Sequence, residues 1–485
     1  MHVCMLSGEY PPRWGGMGST VFSLSSALSS IGHRVSVITR KSGGSPPMLD
    51  GVRVIEVPWL PIPMEFTRSF GKHALRALEK LHSEDPVDVV HLHCPMISWN
   101  ERQLERCKSN IAPIVSSMHG TWMGERDGLI MAARLGEPAV WSNPNDIAIR
   151  YLAGRYSRFE KYALRHSAVV VPNSMATKDE IISRYDAPSD WDCEVIHWGV
   201  DTATFTPLHR DSEDSIHKCN NIRGKYGVTD DSVLLLSVGR LAARKGHGQL
   251  IRSLQRVNST EAKAHLVIVG RGNLKRKLLR LANRIGVGSQ VSIEPSLPFS
   301  DLAELYRCCD LTVFPSVYEG QGLIPLESMA SGTPVVTVDH GPLPEMVDSS
   351  VGALFEMGDL DSMSNAILQE ISSKEVLDSK GMEGRRRVLD RFTLEGNATS
   401  FLAVYQRAIA SAMCRGNSCL LQPCPQNHVG GPALFFSLKD YCSSELLDCD
   451  SSLLSCASPS QGDPNAPGNC HSHILLNSSS RKLSS

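Results

Sequence analysis

The sequence predicts an α/β protein with two doubly wound domains that face each other across a cleft. Short runs rich in valine and isoleucine alternate with helical patterns along the first half of the chain, and the same alternation recurs in the second half. Strands of this composition, separated by helices, are typical of a parallel sheet that is buried on both faces. The length of 485 residues fits two or three domains, at roughly 150 residues each.

The first half contains seven runs of strand length, and helical patterns separate most of them. After the first run, Val21, Leu24, Leu28 and Ile31 follow the spacing of one helix face. The predicted strands lie at 2–6, 34–39, 52–57, 87–93, 113–119, 168–174 and 193–199. We therefore predict a first Rossmann-like domain over residues 1–207.

The second half repeats this organisation. Its predicted strands lie at 233–239, 265–270, 291–296, 311–316 and 334–339, and its predicted helices at about 247–256, 273–286, 300–308, 323–331 and 360–390. Residues 208–227 are polar and predict a linker region, which leaves a second Rossmann-like domain over 228–392. An amphipathic helix is predicted over 393–413. The tail at 414–485 is rich in Ser, Pro, Gly, Asn and Cys, and we expect it to be disordered.

Composition excludes several classes of protein. The 49 basic and 51 acidic residues argue against a general nucleic-acid binder. The first residues lack the pattern of a signal peptide, and the longest apolar runs are strand-sized, so we expect the chain in the cytosol or on the cytosolic face of a membrane. None of the 14 cysteines forms a CxxC pair, which disfavours a zinc ribbon or a thioredoxin-type site.

Ligands of open parallel sheets bind outside the carboxyl ends of the strands, so the residues that follow predicted strands are the candidates for a site. Gly15 and Gly16 precede the first helix, where backbone N–H groups can approach an anion; a tight turn explains them equally well. Arg240 and Lys245 follow the strand at 233–239. Two cations placed there could neutralise a diphosphate, or they could simply be solvated.

The segment 314–336 carries two carboxylates on one strand–loop–helix unit. Glu319 lies in a loop with Gly320 and Gly322, and Glu327 lies on the helix that follows. The glycines expose backbone N–H groups. A carboxylate beside such a loop can accept hydrogen bonds from sugar hydroxyls, and one further along can hold a ribose.

Taken together, the motifs of this sequence resemble those of a known family. Residues 1–413 are similar to the family-4 retaining glycosyltransferases of the GT-B fold. The resemblance rests on five motifs in order along the chain: Gly15 and Gly16 in the N-terminal glycine loop, His119 in SSMHG, WGVDTATFTP at 198–207, Arg240 and Lys245 in GRLAARKG, and the E-x7-E motif EGQGLIPLE from Glu319 to Glu327. Each motif alone is modest, whereas the ordered set is specific.

The resemblance implies transfer of a sugar from a nucleotide sugar to an acceptor, with retention at the anomeric carbon. It implies no metal and no cofactor beyond the nucleotide sugar, because Arg and Lys neutralise the leaving diphosphate. Glu319, His119, Arg240 and Lys245 then carry the catalytic roles. The donor-binding residues implied in the same way are Gly15, Gly16, Gly270, Gly272, Ser296, Gly320, Gly322, Leu323 and Glu327. The sequence does not identify the acceptor as a glycan, a lipid or a small molecule.

The sequence departs from the family pattern at two places. Gln321 stands where the family often has Phe, which predicts a changed loop on the sugar side and puts the donor sugar in doubt. His197 and Trp198 replace the more usual residues before Gly199. Two other functions stay open: a nucleotide-sugar-binding protein without catalysis, and a GT-B epimerase that acts without an acceptor.

Two further patterns allow more than one interpretation. His91 and His93 point to the same face of a strand, and we expect satisfied histidines rather than a metal pair, since no third ligand is in view. The helix predicted over 64–82 carries Arg68, Lys72, Arg76 and Lys80 at four-residue spacing. This basic row is consistent with peripheral contact with a membrane, and a solvated helix face is the interpretation we favour.

Overall fold

The computed structural model describes residues 1–12, 15–188, 190–208, 212–229, 231–295 and 297–418. These residues contain two parallel sheets of six strands each, flanked by helices. The predicted fold class is thereby confirmed. The candidate Ser296 and the tail from Cys419 onward lie outside the described residues.

The first sheet has the strand order β3-β2-β1-β4-β5-β6, and every neighbouring pair is parallel. Its strands are β1 (His2–Ser7), β2 (Arg34–Arg40), β3 (Val52–Val57), β4 (Val89–Cys94), β5 (Ile114–Met118) and β6 (Val169–Pro172). Its helices are α1 (Gly16–Ser30), α2 (Glu65–Glu84), α3 (Glu101–Asn110), α4 (Trp122–Arg134), α5 (Pro144–His166) and α6 (Met175–Arg184). The central strands β1, β4 and β5 are buried at every residue, because helices cover both faces of the sheet.

The second sheet has the order β12-β11-β10-β7-β8-β9, again all parallel. Its strands are β7 (Val233–Val238), β8 (Ala264–Val269), β9 (Val291–Glu294), β10 (Leu311–Phe314), β11 (Val335–Val338) and β12 (Gly352–Phe355). The accompanying helices are α7 (Glu213–Lys225), α8 (His247–Val257), α9 (Lys275–Arg284), α10 (Phe299–Cys308), α11 (Leu323–Ala330), α12 (Leu360–Glu370), α13 (Lys374–Arg391) and α14 (Leu394–Ser418). Short 3-10 helices span Ala243–Lys245, Gly288–Gln290 and Leu343–Glu345.

The strand predicted at 193–199 is not a strand of the sheet. The segment lies beside β6, where Glu194 N donates to Val170 O (3.1 Å) and Ile196 N to Pro172 O (3.1 Å), but it forms only one isolated bridge, at Cys193. Pro172 has no N–H to donate, so the ladder cannot continue. In the second domain, β12 was not predicted, and the single helix predicted at 360–390 is divided into α12 and α13.

Two segments pack differently from their sequence-based interpretation. The linker region contains α7, which lies against α10; Cys219 is buried, and Arg223 donates to Asp310 Oδ2 (2.8 Å). The final helix α14 extends beyond its predicted end at 413 and returns to the first domain. Its buried face packs against β4, β5 and β6, and it comprises Phe401, Val404, Tyr405 and Ala408.

Candidate active site

The carboxyl ends of β7 and β10 bring Lys245 and Glu319 together as an ion pair. Lys245 Nζ contacts Glu319 Oε1, and the two side chains are only 9% and 13% exposed. Burial lowers the pKa of Lys245 to about 8, although Glu319 acts in the opposite direction. Burial works to raise the pKa of Glu319, but Lys245 and Arg244 outweigh it, so the net pKa is lowered. Glu319 therefore stays ionised at neutral pH.

Arg244 is a residue of this site that the sequence analysis missed. It is buried beside Lys245, and its Nε lies 2.8 Å from Glu125 Oε2 on α4 of the first domain. Arg244 and Glu125 therefore form an interdomain ion pair close to the pair of Lys245 and Glu319. Its position directly before Lys245 in the run AARKG is the one feature of the sequence that could have indicated the place of Arg244 in the site.

Arg240 is placed differently from Lys245. It is exposed and lines a cavity of about 330 Å³ with Gly272, Asn143 and Asp146. It is close enough to Lys245 to help lower the pKa of that lysine. Burial raises the pKa of Asp146 to about 6, while the nearby arginines act to lower it. The cation at this cavity is thus accessible to an anionic group from solvent.

The loop between Glu319 and α11 meets the first domain backbone to backbone. A Cβ on Gly320 would overlap the carbonyl oxygen of His119, so this close approach requires glycine. Gly320 O also accepts a hydrogen bond from Ser174 Oγ (2.6 Å). Gly322 has a φ of 102° and precedes α11, which begins at Leu323. The loop therefore brings the segments of His119 and Glu319 into direct contact.

Gln321 does not lie where the sequence analysis expected it. Its side chain is buried and bonds both backbone groups of Trp198: Trp198 N donates to Gln321 Oε1 (2.7 Å), and Gln321 Nε2 donates to Trp198 O (3.0 Å). The expectation that Gln321 changes the sugar-side surface is corrected accordingly. A side-chain amide offers both N–H donors and a carbonyl acceptor, so it can bond the backbone C=O and N–H of one residue, which Phe could not do.

His119 is supported by a stack of aromatic rings. Its ring lies on Trp198 at 5.0 Å between centroids with 11° between planes, and Trp198 lies on Phe401 of α14 at 4.9 Å and 22°. His119 Nε2 is 3.0 Å from His93 Nδ1. Burial lowers the pKa of His119 to about 3, so its imidazole is neutral at physiological pH. His119 can therefore offer a hydrogen bond but no charge.

Glu327 lies apart from the Lys245 and Glu319 pair, at a mostly apolar cavity of about 190 Å³. Leu323 and Gly199 line this cavity with Glu327, together with hydroxyl and aromatic side chains of α1, which comprise Ser19, Thr20, Phe22 and Ser23. Tyr306 Oη donates to Glu327 Oε2 (2.9 Å). Burial raises the pKa of Glu327 to about 7, and the Tyr306 hydrogen bond acts to lower it. A carboxyl group that lines such a cavity suits a hydroxyl ligand.

The remaining predicted glycines lie at the start of α1 and in the loop that follows β8. Gly15 caps α1, and no described atom lies within 4 Å of the position of a Cβ on Gly16. A Cβ on Gly270 would overlap the carbonyl oxygen of Gly239, and one on Gly272 would overlap that of Leu241. Both positions therefore require glycine for the close approach of the loops after β7 and β8.

Both ring nitrogens of His91 are hydrogen-bonded, whereas His93 Nε2 is buried without a hydrogen-bond partner among the described residues, so the expectation of satisfied histidines is met by His91 only. His91 Nδ1 is 2.8 Å from Tyr405 Oη and its Nε2 is 2.7 Å from Ser117 Oγ, whereas His93 is held by His119. In the part of the chain that the structure describes, no group of three or more His, Cys, Asp or Glu residues is arranged to hold a metal ion. The two histidines thus belong to the support of His119.

Two glutamates bond helix N-termini across the domain boundary. Glu345 of the second domain accepts hydrogen bonds from the backbone N–H groups of Met175 and Ala176 on α6 (both 2.9 Å). Glu137 of the first domain accepts from Gly248 N (3.0 Å) and Gln249 N (2.6 Å) on α8. Carboxylates are favourable at these helix ends. Nothing in the pattern of either sequence segment marks these contacts.

Two facing Rossmann-like domains with a charged cleft define a protein of the GT-B class, and solved structures agree. A sucrose-phosphate synthase from Thermosynechococcus elongatus superposes with a TM-score of 0.69 at 20% identity, covering 84% of this chain and 99% of that one. Anabaena HepE, solved in complex with UDP and glucose, gives a TM-score of 0.63 at 17% identity, covering 84% and 99%. At such identities the likeness concerns the fold.

Sequence comparison identifies the family. The family model described as "Glycosyltransferase Family 4" matches residues 14–204, and the one described as "Glycosyl transferases group 1" matches residues 219–387. An uncharacterised glycosyltransferase of Methanocaldococcus jannaschii is 31% identical over 73% of this chain and 85% of its own length. A glycogen synthase of Mycobacterium tuberculosis is 28% identical over 84% and 95%. The chain belongs to the group 1 glycosyltransferases of the GT-B fold.

Proposed function

We propose that this glycosyltransferase moves a sugar from a UDP- or GDP-sugar to a glycan, lipid or small-molecule acceptor, with retention of anomeric configuration and without a metal ion. The observation that carries the proposal is the buried pair of Lys245 and Glu319 at the carboxyl ends of β7 and β10. A buried cation beside a carboxylate suits a substrate that carries a diphosphate next to a sugar. We expect the protein in the cytosol or on the cytosolic face of a membrane.

Charge separation is the main barrier that such a site must lower. When the bond between C1 of the sugar and the diphosphate oxygen breaks, its electron pair stays on the diphosphate and positive charge develops on the sugar. In this proposal Lys245 and Arg240 stabilise the departing diphosphate. The buried Lys245 acts strongly on developing charge because it is fixed in a site of low dielectric, and Arg240 adds a cation from the exposed cavity beside it. They thereby take the place that a divalent cation holds in other transferases.

The acceptor hydroxyl then forms the new bond to C1 from the face that the diphosphate leaves. Its proton passes to the departing phosphate oxygen, so no enzyme base is needed in this step. Glu319 holds hydroxyls of the donor sugar, and a role as a covalent nucleophile is the competing assignment. His119, which is neutral, contacts the sugar without adding charge to it. Glu327 holds the ribose at the cavity that it shares with α1.

Relatives support a nucleotide-sugar donor. HepE was solved with UDP-glucose, and the catalytic domain of starch synthase IV from Arabidopsis thaliana with ADP and acarbose. Several curated relatives are D-inositol 3-phosphate glycosyltransferases. These names favour sugar-like acceptors and leave the base of the donor to experiment.

The first test is the thermal stability of the wild type and Lys245→Ala with UDP, GDP and ADP. A ligand at 100 times its dissociation constant adds about 2.7 kcal/mol to the folded state. We expect one nucleotide to stabilise the wild type and to lose that effect in the variant. No stabilisation of the wild type by any of the three at millimolar concentration would contradict the donor site.

Product analysis distinguishes the proposal from its two alternatives. A transferase yields a new glycoside whose anomeric configuration matches the donor, as read by proton NMR. An epimerase yields an isomeric sugar without an acceptor, and a binding protein yields neither. Inversion at the anomeric carbon would refute the retaining step while leaving transfer intact.

One surface of the first domain favours the lipid among the three proposed classes of acceptor. Leu60 and Ile62 are each 53% exposed, and Leu60 N donates a hydrogen bond to Ser69 Oγ of α2 (2.9 Å). This contact holds the apolar loop beside the exposed Arg68 and Lys72 of α2. The test is sedimentation with vesicles. Binding to phosphatidylglycerol vesicles but not to phosphatidylcholine vesicles, lost in the double variant Leu60→Ser/Ile62→Ser, would support the membrane contact that a lipid acceptor requires. Equal binding to both vesicle types would count against it.

A further inference from the structure

Tyr318, the residue before Glu319, inserts its ring into the opposite domain. The ring lies in a groove at the start of α4 that is lined by Gly120, Gly124 and Gly128. A Cβ on Gly124 would overlap the ring, one on Gly128 would lie 2.5 Å from Tyr318 Cβ, and one on Gly120 would lie 3.1 Å from Tyr318 Oη. Gly124 and Gly128 share one face of α4 because residues four apart lie on the same side of a helix, and Gly120 precedes the N-cap residue Thr121. The three glycines together leave a recess for the ring.

The hydroxyl group of Tyr318 is held at the bottom of this groove. Thr121 N donates to Tyr318 Oη (2.9 Å), and Tyr318 Oη donates to Glu180 Oε2 on α6 (3.2 Å). Thr121 Oγ1 donates to the other carboxylate oxygen of Glu180 (2.7 Å) and accepts from Gly124 N (2.9 Å), which caps α4. The contact thus joins shape complementarity with a closed set of hydrogen bonds.

The groove contact fixes the two sides of the cleft relative to each other. Tyr318 is adjacent to Glu319 in the chain, and Thr121 follows His119 by two residues. Gly320, on the other side of Glu319, lies against the backbone of His119. A ring seated in the groove therefore helps to hold Glu319 and His119 in a single arrangement, and a ring outside the groove removes that constraint.

We propose that Tyr318 is a positioning residue for transfer: its ring in the glycine groove is the latch that holds the domains closed around the donor. This inference rests on the proposed function for its role in transfer. Domain closure commonly assembles a catalytic site and opens again for product release. The latch would couple that motion directly to the segment that carries Glu319.

The variant that tests the latch is Gly124→Ala, with Gly154→Ala on α5 as its matched control. Alanine is more favourable than glycine within a helix, so neither change should weaken its own helix. The methyl group at 124 occupies the groove, whereas no described atom lies within 4 Å of the position of a Cβ at 154. Tyr318→Phe keeps the ring and removes only the hydroxyl bonds.

Three measurements read the result: kcat and KM for transfer, the dissociation constants of UDP and GDP, and hydrogen exchange of the peptide containing residues 119–124. In Gly124→Ala we expect kcat/KM to fall by about 10²-fold, the loss that a displacement of about 1 Å in a site can cause. We expect nucleotide binding within about twofold of wild type and faster exchange at Thr121. Tyr318→Phe should lie between wild type and Gly124→Ala.

Equal kcat/KM and equal exchange in Gly124→Ala and Gly154→Ala would overturn the latch. A parallel loss of nucleotide binding and transfer in Gly124→Ala would also overturn it, because general damage would then explain the result. A wild type that makes no glycoside would refute the proposed function instead. Hydrogen exchange would still decide whether Tyr318 closes the domains, because that readout needs no substrate.

Discussion

The two domains have the same strand order when each is numbered from its own first strand, and yet their central strands lead into different chemistry. In the second domain, β7 and β10 lead to the charged pair of Lys245 and Glu319. At the equivalent place in the first domain, β1 leads to the glycine loop, and β4 carries the buried, neutral His93 next to its last residue, Cys94. Burial and the neighbouring histidines hold the pKa of His93 well below its usual value.

Topology therefore fixes where a site lies, whereas the residues fix what it does. The charged side is built from side chains close to their own strand ends. The neutral side depends on distant parts of the chain: Trp198 and Phe401 support His119, and Tyr405 bonds His91. We therefore expect substitutions on the charged side to act on the chemical step, and those on the neutral side to act through positioning.

The largest effect is expected for Lys245→Met. Loss of one charge-stabilising group typically lowers kcat by about 10²- to 10³-fold. The variant also leaves the buried carboxylate of Glu319 without its cation, so its melting temperature should fall as well. The measurement is steady-state transfer together with thermal unfolding.

Two further variants separate these effects. Lys245→Met combined with Glu319→Gln should recover stability without recovering turnover, because it removes the buried charge but not the need for a cation. Lys277→Met, at an exposed position of α9, is the control. Wild-type turnover in Lys245→Met would contradict the assignment of Lys245 to the chemical step.

Gln321→Met tests whether the bond between the loop and Trp198 is structural. The substitution keeps the volume and leaves a buried N–H and C=O of Trp198 without partners, which costs about 1–3 kcal/mol of the free energy of unfolding. Gln369→Met, exposed on α12, should change nothing. The ratio of rates with two donor sugars should stay the same in Gln321→Met, since the side chain faces Trp198. A changed ratio of these rates would show that Gln321 does affect the choice of donor sugar.

Gln321 illustrates which contacts of this protein cannot be predicted from its sequence. Most strands, the glycine positions and the individual residues Lys245 and Glu319 were predictable, because each follows from local periodicity or from residue types next to a strand end. The strand β12 and the pairing of Lys245 with Glu319 were not predicted. The partners of Gln321, the interdomain pair of Arg244 and Glu125, and the contacts of Glu137 lie more than 100 residues apart along the chain. A single sequence carries no record of such pairings.

The pH dependence of transfer should report the buried Lys245. Burial lowers its pKa to about 8, so the free enzyme loses the cation above that pH, and kcat/KM should fall about tenfold per pH unit there. A bound diphosphate stabilises the cation, so the corresponding fall in kcat should begin at higher pH. Lys245→Arg should abolish the alkaline fall in both kcat/KM and kcat, since arginine stays protonated.

The free energy of unfolding should change in the opposite direction and rise between about pH 8 and 10.5. In that range the lysine is protonated in the unfolded chain but not in the folded protein.

The smallest effect is expected on the neutral side, for Trp198→Leu. An aromatic pair contributes about 0.5–1.5 kcal/mol beyond its buried area, so loss of the ring beneath His119 should lower kcat/KM by at most about tenfold. Trp198→Phe preserves a stacked ring and should retain most of the activity, whereas UDP and GDP binding should be the same in both variants. The alkaline fall near pH 8 should also persist in Trp198→Leu, because Lys245 is untouched. If Trp198→Leu instead removed that fall, the two sides of the cleft would be coupled electrostatically, and the division between a charged and a neutral side would be wrong.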